Sequence, residues 1–289
     1  MTRIITELAE IGMNYDVLFC DLWGCLHNGR AAYPAAVAAL RAFRQGGGQV
    51  CLMTNAPRPS SVVTGHLDRL GVPRDVWDCV VSSGDAGQDA MLAGAVGQRV
   101  WHLGPGKDDE FFTDLPPEWT DPPAIARVAL DVAEGIICTG LFDDMTEGPE
   151  DYRARLMLAR QRDLPMLCAN PDIVVDYGDR RIYCAGALAA LYEELGGRTI
   201  YVGKPHPPIY DLARRQLALR KDARILCIGD GIDTDILGAM GEGLDAVFIT
   251  GGLAHDQFGP DVENPDPAML AEWMQARQRV SAHAMGRLR

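Results

Sequence analysis

Short apolar runs that alternate with segments of helical period constrain this 289-residue chain more than any other feature. Residues 17–20, 49–53 and 79–81 each read as a strand. Between the first two, Tyr33-Pro34 opens a helix with Val37, Leu40 and Phe43 on one face, and Gly46-Gly47-Gly48 stops it. Between the second and third, Ser60 or Ser61 caps a helix in which Val63, His66, Leu67 and Leu70 stay in phase until Gly71. This βαβαβ order predicts a parallel sheet with right-handed crossovers. The alternation resumes near residue 186, with a helix ending at Gly196-Gly197 and strands at 199–202, 225–228 and 246–249. A helix at 208–219 and a short one from about Asp235 lie between them. The intervening block, 84–183, carries Pro116-Pro117, Pro122-Pro123 and the acidic run Asp108-Asp109-Glu110, with strands at 99–103, 135–138 and 164–168. About a hundred residues can enclose a core of their own. The expected organisation is therefore an α/β core from 1–83 and 184–289, with 84–183 inserted as a second α/β domain.

The first strand ends on a carboxylate: Val17-Leu18-Phe19-Cys20-Asp21, followed by Leu22-Trp23-Gly24. A charge delivered to the carboxyl end of a buried sheet is costly unless a cation, a metal or chemistry compensates for it. Met53-Thr54-Asn55 closes the second strand, Gly203-Lys204-Pro205 follows later, and a further apolar strand ends in Gly229-Asp230-Gly231-Ile232-Asp233-Thr234-Asp235. In this order the four fragments resemble the motifs of the haloacid dehalogenase superfamily. With the insertion between the second and third motifs and Asn170-Pro171-Asp172 near its end, the chain resembles class IIA of that superfamily. It is most similar to a bacterial subgroup whose first motif reads Asp-x-aromatic-Gly-x-Leu-His-x-Gly, here Asp21 to Gly29.

The resemblance implies a Rossmann-like core with a mobile lid, and a magnesium-dependent phosphohydrolase of a small phosphorylated metabolite. Asp21 would be the nucleophile that forms an aspartyl-phosphate. Asp21, the backbone carbonyl of Trp23 and Asp230 would ligate Mg²⁺, a hard ion that takes oxygen donors. Asp235 would be a further ligand through water or an orienter of the metal site. Lys204 would set its ammonium against Asp21 and the phosphate. Thr54 and the N–H of Asn55 would donate to phosphoryl oxygens, with Arg58 in reach of the same group. Asn170 and Asp172, where the insertion returns to the core, would touch the organic part of the substrate. Asp233 reads as an exposed helix cap.

Trp23 departs from the pattern. Phosphatases of the superfamily carry a second Asp there, which protonates the leaving oxygen and contributes roughly 10²–10⁴ in rate. His27 is the candidate substitute donor, although a structural role in the turn is the plainer reading. The departure leaves two other readings open: a phosphonate, acyl phosphate or similar substrate that needs no general acid, or a ligand-binding protein that has lost turnover.

Composition narrows the partners. The net charge of −13 opposes a nucleic-acid surface, which needs clustered Lys and Arg. A substrate phosphate would then depend on local cations, namely Lys204 and the metal. No apolar stretch approaches the roughly 18 residues of a membrane span, and Arg3, Glu7 and Glu10 do not fit a signal peptide. The eight cysteines form no Cys-x-x-Cys pair, and most sit in apolar runs, as expected of small buried hydrophobes in a reducing cytoplasm. A homo-oligomer is expected by analogy only.

Overall fold

The protein is described by a computed structural model that covers residues 2–177 and 180–289. Among these residues fourteen strands follow in chain order: β1 (Arg3–Ile4), β2 (Val17–Asp21), β3 (Gln49–Thr54), β4 (Cys79–Ser82), β5 (Arg99–Leu103), β6 (Ala126–Arg127), β7 (Gly135–Cys138), β8 (Pro165–Cys168), β9 (Val174–Tyr177), β10 (Arg180–Tyr183), β11 (Arg198–Tyr201), β12 (Ile225–Gly229), β13 (Asp245–Ile249) and β14 (His283–Met285). The chain divides into two compact units. One comprises Met1–Thr54, Thr64–Val81 and Lys204–Arg289; the other comprises Asn55–Val63 and Ser82–Gly203.

In the first unit a seven-stranded sheet runs β1-β14-β13-β12-β2-β3-β4. The pairs β1/β14, β14/β13, β13/β12, β12/β2 and β2/β3 are all parallel. Every residue of β2 is buried, as a central strand covered on both faces requires. Its register sets Cys20 beside Ile228 and Asp21 beside Met53. Strands β2, β3 and β12 thus finish together at one carboxyl edge, where α/β folds bind ligands. The helix Pro34–Gln45 starts with Pro at its first turn and buries Ala36, Val37 and Leu40, the face expected from the period. The helix Pro207–Gln216 buries Ile209, Tyr210, Leu212 and Ala213.

The second unit holds a five-stranded sheet, β11-β8-β7-β5-β6, with all four pairs parallel. Leu103, Ile136, Tyr152, Leu156, Leu188 and Tyr192 form its core. A separate antiparallel pair, β9/β10, lies within the same unit. The helix Ala185–Glu194 and β11 therefore belong to this second sheet, and residues 184–203 do not resume the core as the alternation suggested. Leu188 and Tyr192 pack on the second core, and Thr199 pairs with Met166 of β8. A helix followed by a parallel strand reads the same in either sheet, so period alone does not say which one it joins.

All eight cysteines are free thiols. No helix among the described residues is long and apolar enough to cross a membrane.

Candidate active site

Four side chains converge at the carboxyl edge of the first unit's sheet. Asp21 closes β2, Asp230 follows β12, Asp235 sits on the turn beyond it, and Lys204 precedes the helix Pro207–Gln216. All four are buried. Lys204, 3% exposed, donates to Asp21 Oδ1 at 2.5 Å, to Asp235 Oδ1 at 2.6 Å and to the Met53 carbonyl at 3.3 Å. Its three donors thus meet three acceptors in a fixed array. Burial alone would depress the lysine, but Asp21 and Asp235 together hold it well above its ordinary range.

The local backbone explains how Asp235 reaches this position. Residues Ile232–Ile236 form a single π turn, closed by the Ile236 N–H on the Gly231 carbonyl at 3.1 Å. Such a turn recurs at functional sites because it re-aims the side chains it carries. Asp235 is returned toward the strand end, where its Oδ2 accepts the Gly231 N–H at 3.1 Å. A Cβ on Gly229 would lie 2.1 Å from the Asp235 Cγ, so only glycine admits this approach. The partner the geometry gives Asp235 is Lys204, which neither of the two roles expected for it, metal ligand through water or orienter of the metal site, included. Asp233, two residues earlier, is exposed and paired with Arg279.

Asp230 differs from its neighbours. Its Oδ2 accepts the Leu253 N–H at 2.9 Å, and its other oxygen accepts no hydrogen bond from a described residue. Gly24 and Gly252 press on it: a Cβ on either would lie 2.1 or 2.0 Å from Oδ2. Burial, with Asp21 and Asp235 nearby, drives its pKa well above the ordinary carboxylate range. A buried carboxylate that is short of a partner and faces other carboxylates is the environment a divalent cation relieves. The Trp23 carbonyl, in the turn just after Asp21, likewise accepts no hydrogen bond from a described residue. Two carboxylates and an unsatisfied carbonyl are a hard-oxygen donor set, and it fits Mg²⁺.

Cys25 is the neighbour that sequence reasoning missed. Its Sγ and carboxylate oxygens of Asp21 and Asp230 lie within 4.8 Å of one another. Burial, followed by Asp230 and Asp21, pushes the thiol well above its usual pKa. Its one sequence signal is a place inside the first motif, two residues after Trp23. The Leu253 N–H was also missed; Gly251-Gly252, one residue after an apolar strand, hinted at a close backbone approach there.

Trp23 is half-buried and pinned by the turn. The far edge of its indole lies where a Cβ on Gly29 would sit 2.3 Å away, and Gly29 has φ +79°. His27 meets the indole edge-on at 5.4 Å and the His66 ring at 6.0 Å. The Gly29 N–H donates to His27 Nδ1 at 3.0 Å, which leaves that nitrogen without a proton and the ring neutral. Burial, assisted by His66, pushes His27 down to about 4. A buried neutral imidazole is a poor proton donor at neutral pH. Thr54 ends β3 half-buried.

The remaining predicted residues lie in the second unit, which has a polar network of its own. Asn55 donates through Nδ2 to Asp172 Oδ1 at 2.8 Å, and Asn170 Oδ1 accepts the Asp172 N–H at 3.0 Å. A Cβ on Gly186 would strike the Pro171 carbonyl oxygen at 2.2 Å, so this glycine seats the Asn170-Pro171-Asp172 turn on the helix behind it. Arg58 pairs with the buried Asp108 at 3.0 Å.

Comparison with known proteins identifies the family. Residues 18–115 match the family profile described as haloacid dehalogenase-like hydrolase, and residues 201–272 match a HAD-hydrolase-like profile. The crystal structure of a hydrolase of the haloacid dehalogenase-like family from Brucella suis 1330 is 38% identical, covers 99% of this chain and 100% of that one, and superposes with a TM-score of 0.84. Glycerol phosphate phosphatase Rv1692 from Mycobacterium tuberculosis, solved in complex with magnesium, is 26% identical over 84% of this chain and 70% of its own, with a TM-score of 0.63. Glycerol-3-phosphate phosphatase of Gallus gallus is 28% identical over 83% of this chain and 81% of its own. A parallel sheet whose strands β2 and β12 lead into Asp21 and Asp230, in a chain matched along its full length by a 38% identical structure, leaves one conclusion: the chain is a member of the haloacid dehalogenase-like hydrolase family.

Proposed function

We propose that this enzyme is a magnesium-dependent phosphatase of a small phosphorylated metabolite, working through an aspartyl-phosphate on Asp21. The observation that carries the reading is the triad Asp21–Lys204–Asp235, set beside an Asp230 whose direct partner among the described residues is the Leu253 N–H. The phosphatase names of the relatives support the same chemistry. In the first step the Asp21 carboxylate attacks phosphorus; the Asp21 O–P bond forms as the bond to the leaving oxygen breaks. Lys204 fixes the orientation of Asp21 and presents positive charge where negative charge accumulates on the phosphoryl group. Asp235 keeps the lysine charged and aimed. Thr54, at the end of the neighbouring strand, offers its hydroxyl to a phosphoryl oxygen. Water then cleaves the acyl phosphate and releases Asp21. Asp21, the Trp23 carbonyl and Asp230 would hold Mg²⁺, which when bound neutralises charge between carboxylate and phosphate.

Trp23 favours a narrower version of this reading. No carboxylic acid stands at position 23, and His27 is buried, neutral and already accepting a hydrogen bond. The leaving group then departs with little protonation from these two residues. Acyl and aryl phosphates therefore suit the site better than alkyl esters, and a phosphonate is the further alternative. A protein that only binds ligand would have little use for four converging buried charges, which are costly to keep. The free cysteines suit a reducing, cytoplasmic setting.

A colorimetric assay of phosphate release tests the reading, using a panel of alkyl, aryl and acyl phosphates with and without Mg²⁺. The expected result is magnesium-dependent release that is fastest on the acyl and aryl members. Release of equal rate in excess chelator would refute the metal role, and no release from any member would refute the phosphatase reading.

A further inference from the structure

Magnesium chemistry gives no role to the thiol of Cys25, yet that thiol stands beside both carboxylates assigned to the metal. Cys25 is 1% exposed, and no described residue makes a hydrogen bond to its Sγ. The turn that carries it is tightly closed: Leu26 N–H and His27 N–H both donate to the Leu22 carbonyl, at 2.8 and 3.1 Å. Sγ is thereby held toward Asp21 and Asp230, with the donor atoms of all three within 4.8 Å of one another. Bonds of about 2.3 Å to sulfur and 2.1 Å to oxygen put donors roughly 3.5 Å apart around a tetrahedral ion. Side-chain rotation can close that difference. Two carboxylate oxygens and one sulfur are a donor set for a borderline or soft cation, whereas magnesium keeps to oxygen and water.

We propose that Asp21, Cys25 and Asp230 form a mixed oxygen–sulfur site that captures a thiophilic divalent cation of the zinc and cadmium class, in competition with magnesium, and so silences the enzyme. On capture the Cys25 S–H bond breaks, the metal–sulfur bond forms and the proton passes to solvent; no electron is transferred. Asp21, once held as a ligand to a tetrahedral ion, is no longer free to attack phosphorus. The inference rests on the metal role proposed above for Asp21 and Asp230.

Cobalt is the optical probe, because thiolate ligation gives a near-ultraviolet sulfur-to-cobalt charge-transfer band. The full-length protein is stripped with chelator, freed of magnesium and titrated with CoCl₂; ZnCl₂ and MgCl₂ are titrated in parallel by calorimetry. The band should appear in the wild type and be absent from Cys25→Ser and Cys25→Val, the second variant covering the case in which the first misfolds. Zinc affinity should fall by about 10- to 100-fold in these variants, while magnesium affinity moves by less than about threefold. A wild type without the band, or a band that survives in the Cys25 variants and so belongs to another cysteine, would overturn the proposal. Asp230→Asn separates the two levels of the reading. If it abolishes magnesium binding while the wild type shows no cobalt band, only this inference fails. If it leaves magnesium binding intact, the metal role underlying both fails.

Discussion

The two sides of the buried carboxylate cluster are balanced in opposite ways. On one side Asp21 and Asp235 share the ammonium of Lys204, at 2.5 and 2.6 Å, and the charges are nearly satisfied from within the chain. On the other side Asp230 has one backbone N–H and two glycines against it, and among the described residues no cationic side chain pairs with it directly. The first arrangement is a buried ion-pair array that, in the function proposed above, orients the nucleophile. The second is the side on which the proposed function seats a metal. Folding alone would not favour the second side, since an uncompensated buried carboxylate destabilises a protein by several kcal/mol. In the proposed function that imbalance separates the residues that orient the reacting group from those that would bind the metal.

Four substitutions break the comparison. The largest effect is expected for Asp230→Asn. Phosphatase activity should fall by about 10³-fold or more, as expected for loss of a group that stabilises developing charge. The same variant, in chelator, should be more stable than the wild type by about 1–3 kcal/mol, because a buried carboxyl group that is disfavoured as an anion by burial and by its acidic neighbours has gone. Magnesium should raise the melting temperature of the wild type and leave the variant unmoved. A variant that remains active, and remains stabilised by magnesium, would place the metal elsewhere.

Lys204→Met acts on the balanced side. It should lower activity by about 10²–10³-fold and, unlike Asp230→Asn, cost about 3–5 kcal/mol of stability, since Asp21 and Asp235 are left facing each other. Chemical denaturation of the two variants side by side checks the opposite signs. Equal destabilisation would erase the contrast on which the account depends.

Trp23→Asp places a carboxylic acid at the position where the resemblance to the superfamily leads one to expect it. Turnover of alkyl phosphates should rise by about 10- to 100-fold, with a flatter dependence on leaving-group pKa, within the range general acids contribute. The indole now covers Gly29, so some packing is lost in exchange. Unchanged leaving-group dependence, measured over a series of aryl and alkyl esters, would mean that the proton already comes from another source.

The smallest effect belongs to His27→Gln. Activity near neutral pH and the shape of the pH–rate profile should hold within about twofold, because a neutral buried imidazole gives no proton there. Stability should respond instead. His27 is held at about 4 in the fold, below its unfolded value, so the unfolded chain binds the extra proton first. Wild-type stability is therefore full above about 6.5 and declines as pH falls toward 4, by up to about 3 kcal/mol. The variant should lack that part of the decline. A bell-shaped rate profile that disappears with the substitution would make His27 the missing acid after all.

The legibility of these parts in the sequence follows their range of interaction. Asp21, Lys204 and Asp230 were readable because each lies at the end of an apolar run or between punctuating residues, and the order of the motifs brought them together. The partnership of Asp235 with Lys204 was not, since it depends on a π turn at Ile232–Ile236 that no residue type announces. The partner of Arg58 is Asp108, fifty positions away, and nothing local distinguishes a buried Asp from its exposed neighbours in an acidic run. At the level of the fold, β5 and β7 were found with their observed bounds, whereas β9 and β10 were missed. Their sequences, VVDY and RRIY, lack the uniform apolar character that marked the buried strands. The helix Ala185–Glu194 was seen as a helix, but its sheet was not, because the side it packs on is fixed by Leu188 and Tyr192 meeting a distant core.

The claim at the centre of this account is that Asp21 takes the phosphoryl group while the Asp230 side depends on an added cation. It is tested most directly by acid-quenching the enzyme during turnover of an acyl phosphate and mapping the phosphorylated peptide by mass spectrometry. One phosphoryl group is expected on the peptide that contains Asp21, present with magnesium and absent in chelator, from Asp21→Asn and from Asp230→Asn. Phosphate release without a phosphorylated Asp21 peptide, or a phosphoryl group that maps to another residue, would contradict it.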